Sequence, residues 1–464
     1  MTVPVLPRLR VRTLAAPPVP DLFDLLPPDV DAASVVSWVR EGSGLIGWGR
    51  AASSRTADGG RGGPDRFATA AQWWRDVVAG AEVVDEVDLP GTGLVAFGSF
   101  AFAPGSPDGG GLVVPRVIAG QRDGKAWVTS IEDLDLSTAA DTEPGVSDPT
   151  PTDPAEGTPA APDLPPTPGE AQSDPAPGIR LLPGAVAPPD WPRVIRAGIA
   201  RIAAGEVDKV VLARDVVAAA DAPIETVDVL RRLGDRYGAT WTFAVDGLVG
   251  ATPEMLVRLQ HGRVRSRVLA GTVRRDRTPA PSVTEAHPEL EDAHTPDPRL
   301  RFVSDAKELE EHQFAVRSVA EALAPHCAAL EVPEEPFVLE LPDVYHLATD
   351  ISGEASDDAT SLDLAAALHP SAAVCGTPSE AAARVIAELE GMDRGRYAGP
   401  VGWLDASGDG DWGIALRCGQ LSADARSMRL FAGGGIVAAS DPESELAETE
   451  VKLAAMRHAL GLGS

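Results

Sequence analysis

Residues Thr240 to Arg275 read "TWTFAVDGLVGATPEMLVRLQHGRVRSRVLAGTVRR". Short blocks rich in Val, Leu, Phe and Thr are broken by Gly, Asp and Pro, and no block is long enough for a helix, so the stretch reads as several strands in succession. Just upstream, "DWPRVIRAGIARIAAGEVDKVVLARDVVAAA" (Asp190–Ala220) gives an amphipathic helix, a turn at Ala204-Gly205-Glu206 and an apolar strand, and "IETVDVLRRLGDRYG" (Ile224–Gly238) gives a second helix. Downstream, a long helix covers "SDAKELEEHQFAVRSVAEALAPH" (Ser304–His326), with Leu309, Phe314, Val316 and Val319 as a rough apolar stripe. Strands return in "VGWLDASGDGDWGIALRCGQL" (Val401–Leu421) and "RSMRLFAGGGIVAAS" (Arg426–Ser440) before a terminal helix. Near the N-terminus, "GSGLIGWGRAA" and "TGLVAFGSFAF" read as strands and "ATAAQWWRDVVAGA" as an amphipathic helix. Runs of strands with interspersed helices predict an antiparallel α+β fold in place of alternating βαβ units.

The chain has 464 residues, 44% of them apolar, enough for a large core. A formal charge of −29 excludes a general nucleic-acid or anionic-membrane surface, which needs a basic stripe. No apolar run approaches the roughly 20 residues of a spanning helix, and "MTVPVLPRLRVRTL" lacks the pattern of a signal peptide, so the expected compartment is the cytoplasm. Cys327, Cys375 and Cys418 lie far apart without CxxC spacing, against a disulfide framework or structural zinc. From Asp141 to Gly178 the sequence is proline-rich and acidic with no basic or aromatic residue, and it reads as a disordered insertion or a linker. An anionic substrate of so acidic a chain needs a local cationic centre, for which a divalent metal held by carboxylates is a candidate.

In "SELAETEVKL" (Ser444–Leu453), Glu445, Glu448 and Lys452 fall at i, i+3 and i+7, on one helical face. The long helix repeats the pattern with Glu308 and Glu311, followed by His312. Two such faces either converge on a magnesium site, with Glu311 and Glu448 best placed, or remain separate solvated surfaces with an i,i+4 Glu–Lys pair. "EEHQF" lacks the second histidine of HExxH, against a zinc hydrolase. Lys209 opens the apolar strand "KVVLARDV". It is either a desolvated general base or an edge lysine that blunts aggregation. Glu254 follows Pro253 in "GATPEMLVRL" and is either aimed at a cavity or a turn residue. Gly433 to Gly435 could let bare backbone approach a carboxylate or could form a bulge. Neither GxxxxGK[ST] nor GxGxxG occurs in the right setting for a nucleotide.

Taken in order, "KVVLAR" (Lys209–Arg214), "GATPEML" (Gly250–Leu256), "LAGTVRR" (Leu269–Arg275), "EEHQ" (Glu310–Gln313), "YHLATDISG" (Tyr345–Gly353), "LHPSAAVCGTP" (Leu368–Pro378), "DRGRYAGPVGW" (Asp393–Trp403), "IALRC" (Ile414–Cys418), "LFAGGGIV" (Leu430–Val437) and "ELAETEVKL" (Glu445–Leu453) resemble the chorismate-utilising enzymes, most closely the isochorismate synthases. The resemblance covers nearly all of Val194 to Leu460. It implies a single large α+β domain with antiparallel sheets packed together and helices outside. Residues 1–140 are its N-terminal part, 141–178 a surface insertion and 179–464 the catalytic part. Glu311 and Glu448 would hold Mg²⁺ with Glu445 in support, and Lys452 would face the same substrate. The metal would grip the ring carboxylate of chorismate, while Arg417 and the backbone at Gly434 and Gly435 would receive the enolpyruvyl carboxylate. Lys209 resembles the base that activates water for attack at C2, and Glu254 the acid that protonates the departing C4 hydroxyl; Thr272 and His346 would line the ring pocket.

Lysine, not glutamine, at position 209 points to water over ammonia. Ala373, with Ser379 where lyase-competent relatives carry lysine, favours isochorismate over salicylate as product. Salicylate synthase and an inactive scaffolding relative are the alternatives. The resemblance further implies a monomer acting on a small molecule in menaquinone or siderophore supply.

Overall fold

The structure, a computed structural model, describes residues 6–56, 65–134, 178–274, 306–340, 344–356 and 358–462. Within the Thr240–Arg275 stretch, Trp241–Val245 and Leu248–Thr252 form one antiparallel hairpin, and Met255–Gln260 and Arg263–Arg274 form another. Each turn has two residues at positive φ, Asp246-Gly247 and His261-Gly262, the backbone twist that joins adjacent antiparallel strands tightly. The two hairpins belong to different sheets. Between them lie only Pro253 and Glu254, where the chain leaves the first sheet and enters the second. A second crossing runs the opposite way beside it: Gly410–Ile414 pairs with Met255–Gln260 in the second sheet, and Cys418–Leu421 pairs with Leu248–Thr252 in the first, both antiparallel. Arg417 sits in that second crossing.

Among the described residues the first sheet has 13 strands and the second 10. All their pairings among the described residues are antiparallel except that of Leu9–Ala16 with Glu82–Asp85. Strands from before and after residues 141–177, which lie outside the described residues, are neighbours in both sheets. Val36–Arg40 pairs with Trp241–Val245, and Val95–Phe100 pairs with Pro400–Asp405. The α+β expectation therefore holds, with an antiparallel-rich pair of sheets.

Buried aromatics from both sheets, among them Trp38, Phe97, Phe100, Phe243, Trp403 and Trp412, fill a continuous core. At large buried rings each contact area is worth about 25 cal/mol per Å². A second apolar cluster joins the helices Thr226–Tyr237 and Pro442–Ala459 to the first sheet through Leu230, Leu233, Met428, Leu430, Leu453 and Met456. The helix Trp191–Ala203 packs beside the terminal helix and onto the first sheet, where Gly198 allows close approach to the strand Lys209–Ala220: a Cβ there would sit 2.9 Å from Leu212 Cδ1. Asp441 caps the terminal helix by accepting from the Ser444 N–H, with Pro442 in the first turn.

The long helix runs Ala306–Leu323. Val316 is buried and Val319 half-buried, but Phe314, expected on the apolar stripe, is 54% exposed and has the Arg317 guanidinium 5.4 Å from its ring centre. The buried face of the helix runs instead through His312, Val316 and Leu323, with Ala315, Val319 and Ala320 packed beside them, and Phe314 falls outside it. No helix among the described residues is long and apolar enough to cross a membrane.

Candidate active site

Lys209 occupies the first position of the strand Lys209–Ala220, which lies between Ile179–Pro183 and Ser427–Ile436. Its position is fixed on a further side by Gly376-Thr377, which pairs with Lys209-Val210, while the Asp208 and Val211 N–H groups donate to Thr377 and Cys375 carbonyls at 2.8 and 2.9 Å. Gly376 has φ of +134°, and a Cβ there would lie 2.3 Å from the Lys209 carbonyl oxygen. Only glycine lets the "HPSAAVCGTP" segment run this close to the lysine.

Along the partner strand, Gly434 and Gly435 leave room that charged side chains fill. A Cβ on Gly435 would lie 2.8 Å from Lys209 Cε, and one on Gly434 would lie 2.9 Å from Glu445 Oε2 and 3.8 Å from Glu448 Oε1. Successive residues of a strand face opposite ways. The lysine and the two carboxylates therefore approach the same strand end from its two sides. Lys452 completes the group: its Nζ is 2.6 Å from the Gly433 carbonyl oxygen, to which it donates, and 2.7 Å from Glu448 Oε1. The i, i+3, i+7 face of the terminal helix is thus turned onto the glycine strand and is not a plain solvated surface.

What turns it is a neighbouring face of the same helix. Arg214, 1% exposed on the strand that begins with Lys209, donates from Nε to Thr449 Oγ1 at 2.9 Å and pairs with Glu450, which also holds Arg457. These contacts fix the rotation of the helix relative to the strand.

Glu254, between the sheets, is held from both sides of its backbone. Its N–H donates to Thr252 Oγ1 at 3.2 Å, and its carbonyl accepts from the Ile414 N–H at 3.1 Å. Although part of the residue remains accessible, protein surrounds the carboxyl, and burial pushes its pKa up to about 7 against the opposing fields of Lys209, Lys452 and Arg417. Those three cations come from three separate stretches of sequence, and all act on this one carboxyl. Arg417 has φ of +49°, a conformation uncommon for any residue but glycine, and its carbonyl accepts from the Ala251 N–H at 3.2 Å. Beside Glu254, a narrow gap of about 20 Å³ is lined by Ser371, Ala372 and Ala373 on one side and by Ala315 and Val319 of the long helix on another.

Glu445 has its pKa raised, first by burial and then by the Glu448 charge, against a hydrogen bond from Ser440. Two carboxylates crowded at one strand end, one destabilised by the other, form an oxygen-donor set that suits a divalent cation. Glu311 lies within the helix Ala306–Leu323, and Thr272 stands opposite His346 in the register of Arg263–Arg274 with Val344–Ala355. The side chains of these three lie outside what the structure describes. Among the described residues no three His, Cys, Asp or Glu side chains cluster as a metal site. His312 is 1% exposed and hydrogen-bonded to Thr349 Oγ1 at 2.7 Å, as a core histidine is.

Two residues that support the site do not stand out in the sequence. Glu390 and Arg394, both buried, form an i,i+4 ion pair. Arg394 also donates to the Val374 and Val211 carbonyls at 2.8 and 2.7 Å, and Glu390 accepts from the Ala213 N–H at 2.7 Å. Burial opposes the Arg394 charge, but Glu390 holds its pKa above the ordinary value. The pair clamps the Lys209 strand to the segment containing Ala373. In sequence the same spacing reads as a surface pair.

The chorismate binding enzyme family matches residues 36–461. Isochorismate synthase DhbC of Bacillus subtilis is 40% identical over 287 residues, 59% of this chain and 68% of that one. Isochorismate synthase EntC of Escherichia coli is 37% identical over 275 residues, 58% of this chain and 66% of that one. Among solved structures, the menaquinone-specific isochorismate synthase MenF of Escherichia coli superposes with a TM-score of 0.70, covering 99% of this chain and 96% of that one at 24% identity, a likeness of fold. With the family match spanning both sheets and every strand that carries the site, this chain belongs to the chorismate binding enzymes.

Proposed function

We propose that the protein is an isochorismate synthase, converting chorismate reversibly to isochorismate with Mg²⁺ as cofactor. The observation that carries the reading is the buried Glu254 carboxyl, its pKa raised by burial to about 7, set close to Lys209, Lys452 and Arg417. A carboxyl that still holds its proton near neutral pH, facing positive side chains, is equipped to protonate a leaving group of an anionic substrate.

In this reading, Lys209, reacting as the free amine, takes a proton from a water molecule whose oxygen forms a bond to C2 of the ring. The ring double bonds shift, the C4–O bond breaks, and Glu254 gives its proton to the departing hydroxyl, which leaves as water. One water is consumed and one released, so the net reaction is an isomerisation. Arg417, together with the N–H groups at Gly434 and Gly435, receives the enolpyruvyl carboxylate, and Lys452 adds charge to the same space. Thr272 and His346 line the ring. Glu448 and Glu311, with Glu445 in support, would hold the metal, which when bound would supply positive charge to neutralise and orient the ring carboxylate. The described pair Glu445 and Glu448 fits that role, being crowded, acidic and partly buried. The same reading has the chain acting as a cytoplasmic monomer.

Ala373, which lines the gap beside Glu254 with an apolar methyl group, supports isochorismate as the end product. The test is purified protein with chorismate and Mg²⁺, with products separated by chromatography. Isochorismate as the sole product is the expected result. Salicylate with pyruvate would assign a lyase, and absence of turnover would assign an inactive relative.

A further inference from the structure

A second recess, of about 490 Å³, is lined by strands of the second sheet together with Arg40 and Trp241 of the first. None of Lys209, Glu254, Arg417, Glu445, Glu448 or Lys452 lines it. Five of the chain's 40 basic side chains do: Arg40, Arg258, Arg263, Arg265 and Arg267. In a protein of charge −29, such a concentration calls for a physical cause.

Strand alternation puts Arg263, Arg265 and Arg267 on one face, while Val264, Ser266 and Val268 between them are buried. Arg258 and Arg267 are occupied, each by a two-point ion pair, to Asp411 and Asp350 respectively. Arg265 is different: across one neighbouring strand it faces Arg258, and across the other Ser352. Like charges directly opposite in a sheet are unfavourable. Arg263 and Arg265 make no ion pair among the described residues. From the other side of the recess, Arg40 stacks over Trp241 with its Cζ 4.4 Å from the ring centre, and its buried Nε has no hydrogen-bond partner. Burial lowers the Arg40 pKa, and the Arg267 and Arg258 charges add to that against Glu41, which places those three guanidinia within one field.

We infer that this recess binds a phosphorylated metabolite, its phosphate held by Arg263 and Arg265, with the Arg40 guanidinium adding positive charge to the same recess. A phosphate offers several oxygens and up to two charges to converging guanidinia, more than a single carboxylate can. The volume exceeds that of a phosphate alone and lies in the range of small-molecule sites, leaving room for an organic body. Glu331 and Glu354 also line the recess, with Glu331 accepting from the Ser352 hydroxyl at 3.3 Å, so it favours a ligand whose negative charge is concentrated at one end. Met255, Ser266 and Arg267 line both this recess and the gap beside Glu254, so an occupant there touches the strand that leads out of the acid.

The test uses the full chain and inorganic pyrophosphate in magnesium-free buffer at about 0.15 M salt, where only close ionic contacts survive screening, with binding read by titration calorimetry. Saturable binding is expected, weakened roughly tenfold or more in the Arg263→Ser/Arg265→Ser double variant, because two charge-assisted donors are lost. Both arginines are exposed, so the double variant is expected to keep the parent's thermal midpoint and its rate of isochorismate formation. Lys452→Met, which alters the chorismate site instead, is expected to leave pyrophosphate affinity unchanged. No saturable binding, an unaltered affinity in the double variant, or equal weakening by Lys452→Met would overturn the inference.

Discussion

Lys209 occupies the space that a side chain on Gly435 would need: a Cβ there would lie 2.8 Å from Lys209 Cε and 3.5 Å from its Nζ. The atoms in the way are the far end of a flexible chain, so Gly435→Ala displaces the amine at little cost to the fold. The expected result is a thermal midpoint near that of the parent with kcat down roughly 10²-fold, the effect of a misplaced reacting group. Gly434→Ala displaces Glu445 instead, and the prediction for it is a higher Mg²⁺ concentration for half-maximal rate. A normal rate and metal requirement in both variants would remove the glycines from the site.

Lys209→Ala tests the base itself. Turnover should fall by about 10²–10⁴, the usual contribution of a general base, while Mg²⁺-dependent binding of isochorismate, measured by calorimetry, persists. Near-normal turnover in this variant would sink the assignment of the base.

Most of the elements of this fold are legible because periodicity and punctuation agree: the strand that starts at Lys209 follows a Gly205 turn, and the terminal helix begins at an Asp441-Pro442 cap. What local sequence does not contain is the assignment of strands to sheets. Nothing in "GATPEML" says that Thr252 ends a strand of one sheet and Met255 begins a strand of the other, because that division depends on partners such as Cys418 and Trp412, more than 150 residues away. The charged face of the terminal helix is legible as a pattern, but its target is not; the Arg214 contacts with Thr449 and Glu450 that set its rotation are again long-range. Glu390 and Arg394 are hidden for a different reason. An acid and a base four apart are usually solvated, and only their burial distinguishes this pair.

The pH dependence should follow Glu254. Its folded pKa is raised to about 7, so the proton needed for the leaving hydroxyl is present below that pH and lost above it. With chorismate as substrate, kcat/KM is expected to fall as pH rises through about 7, and Glu254→Gln should abolish that limb while lowering the rate roughly 10²–10⁴-fold. The linkage to stability has the same sign. A carboxyl with a raised folded pKa favours the folded state below its unfolded pKa, near 4.3, and that contribution is lost as pH rises to about 7. Glu254→Gln should therefore flatten the decline in denaturation midpoint between about pH 4 and 7. An unchanged alkaline limb in the variant would show that another group governs it.

Arg394 and Glu390 should matter to the fold first and to catalysis through it. Arg394→Met leaves Glu390 buried opposite an apolar side chain, with only the Ala213 N–H to satisfy it, and also removes the donors to the Val374 and Val211 carbonyls. Breaking a buried pair on one side costs about 3–5 kcal/mol, so the denaturant midpoint should fall markedly. Replacing both partners, Arg394→Met with Glu390→Leu, removes the uncompensated charge and should recover part of that loss. Because the Arg394 contacts tether the Lys209 strand to the Ala373 segment, the double variant should regain stability without regaining full kcat. A double variant no more stable than Arg394→Met would mean that the lost carbonyl contacts, and not the stranded carboxylate, set the cost.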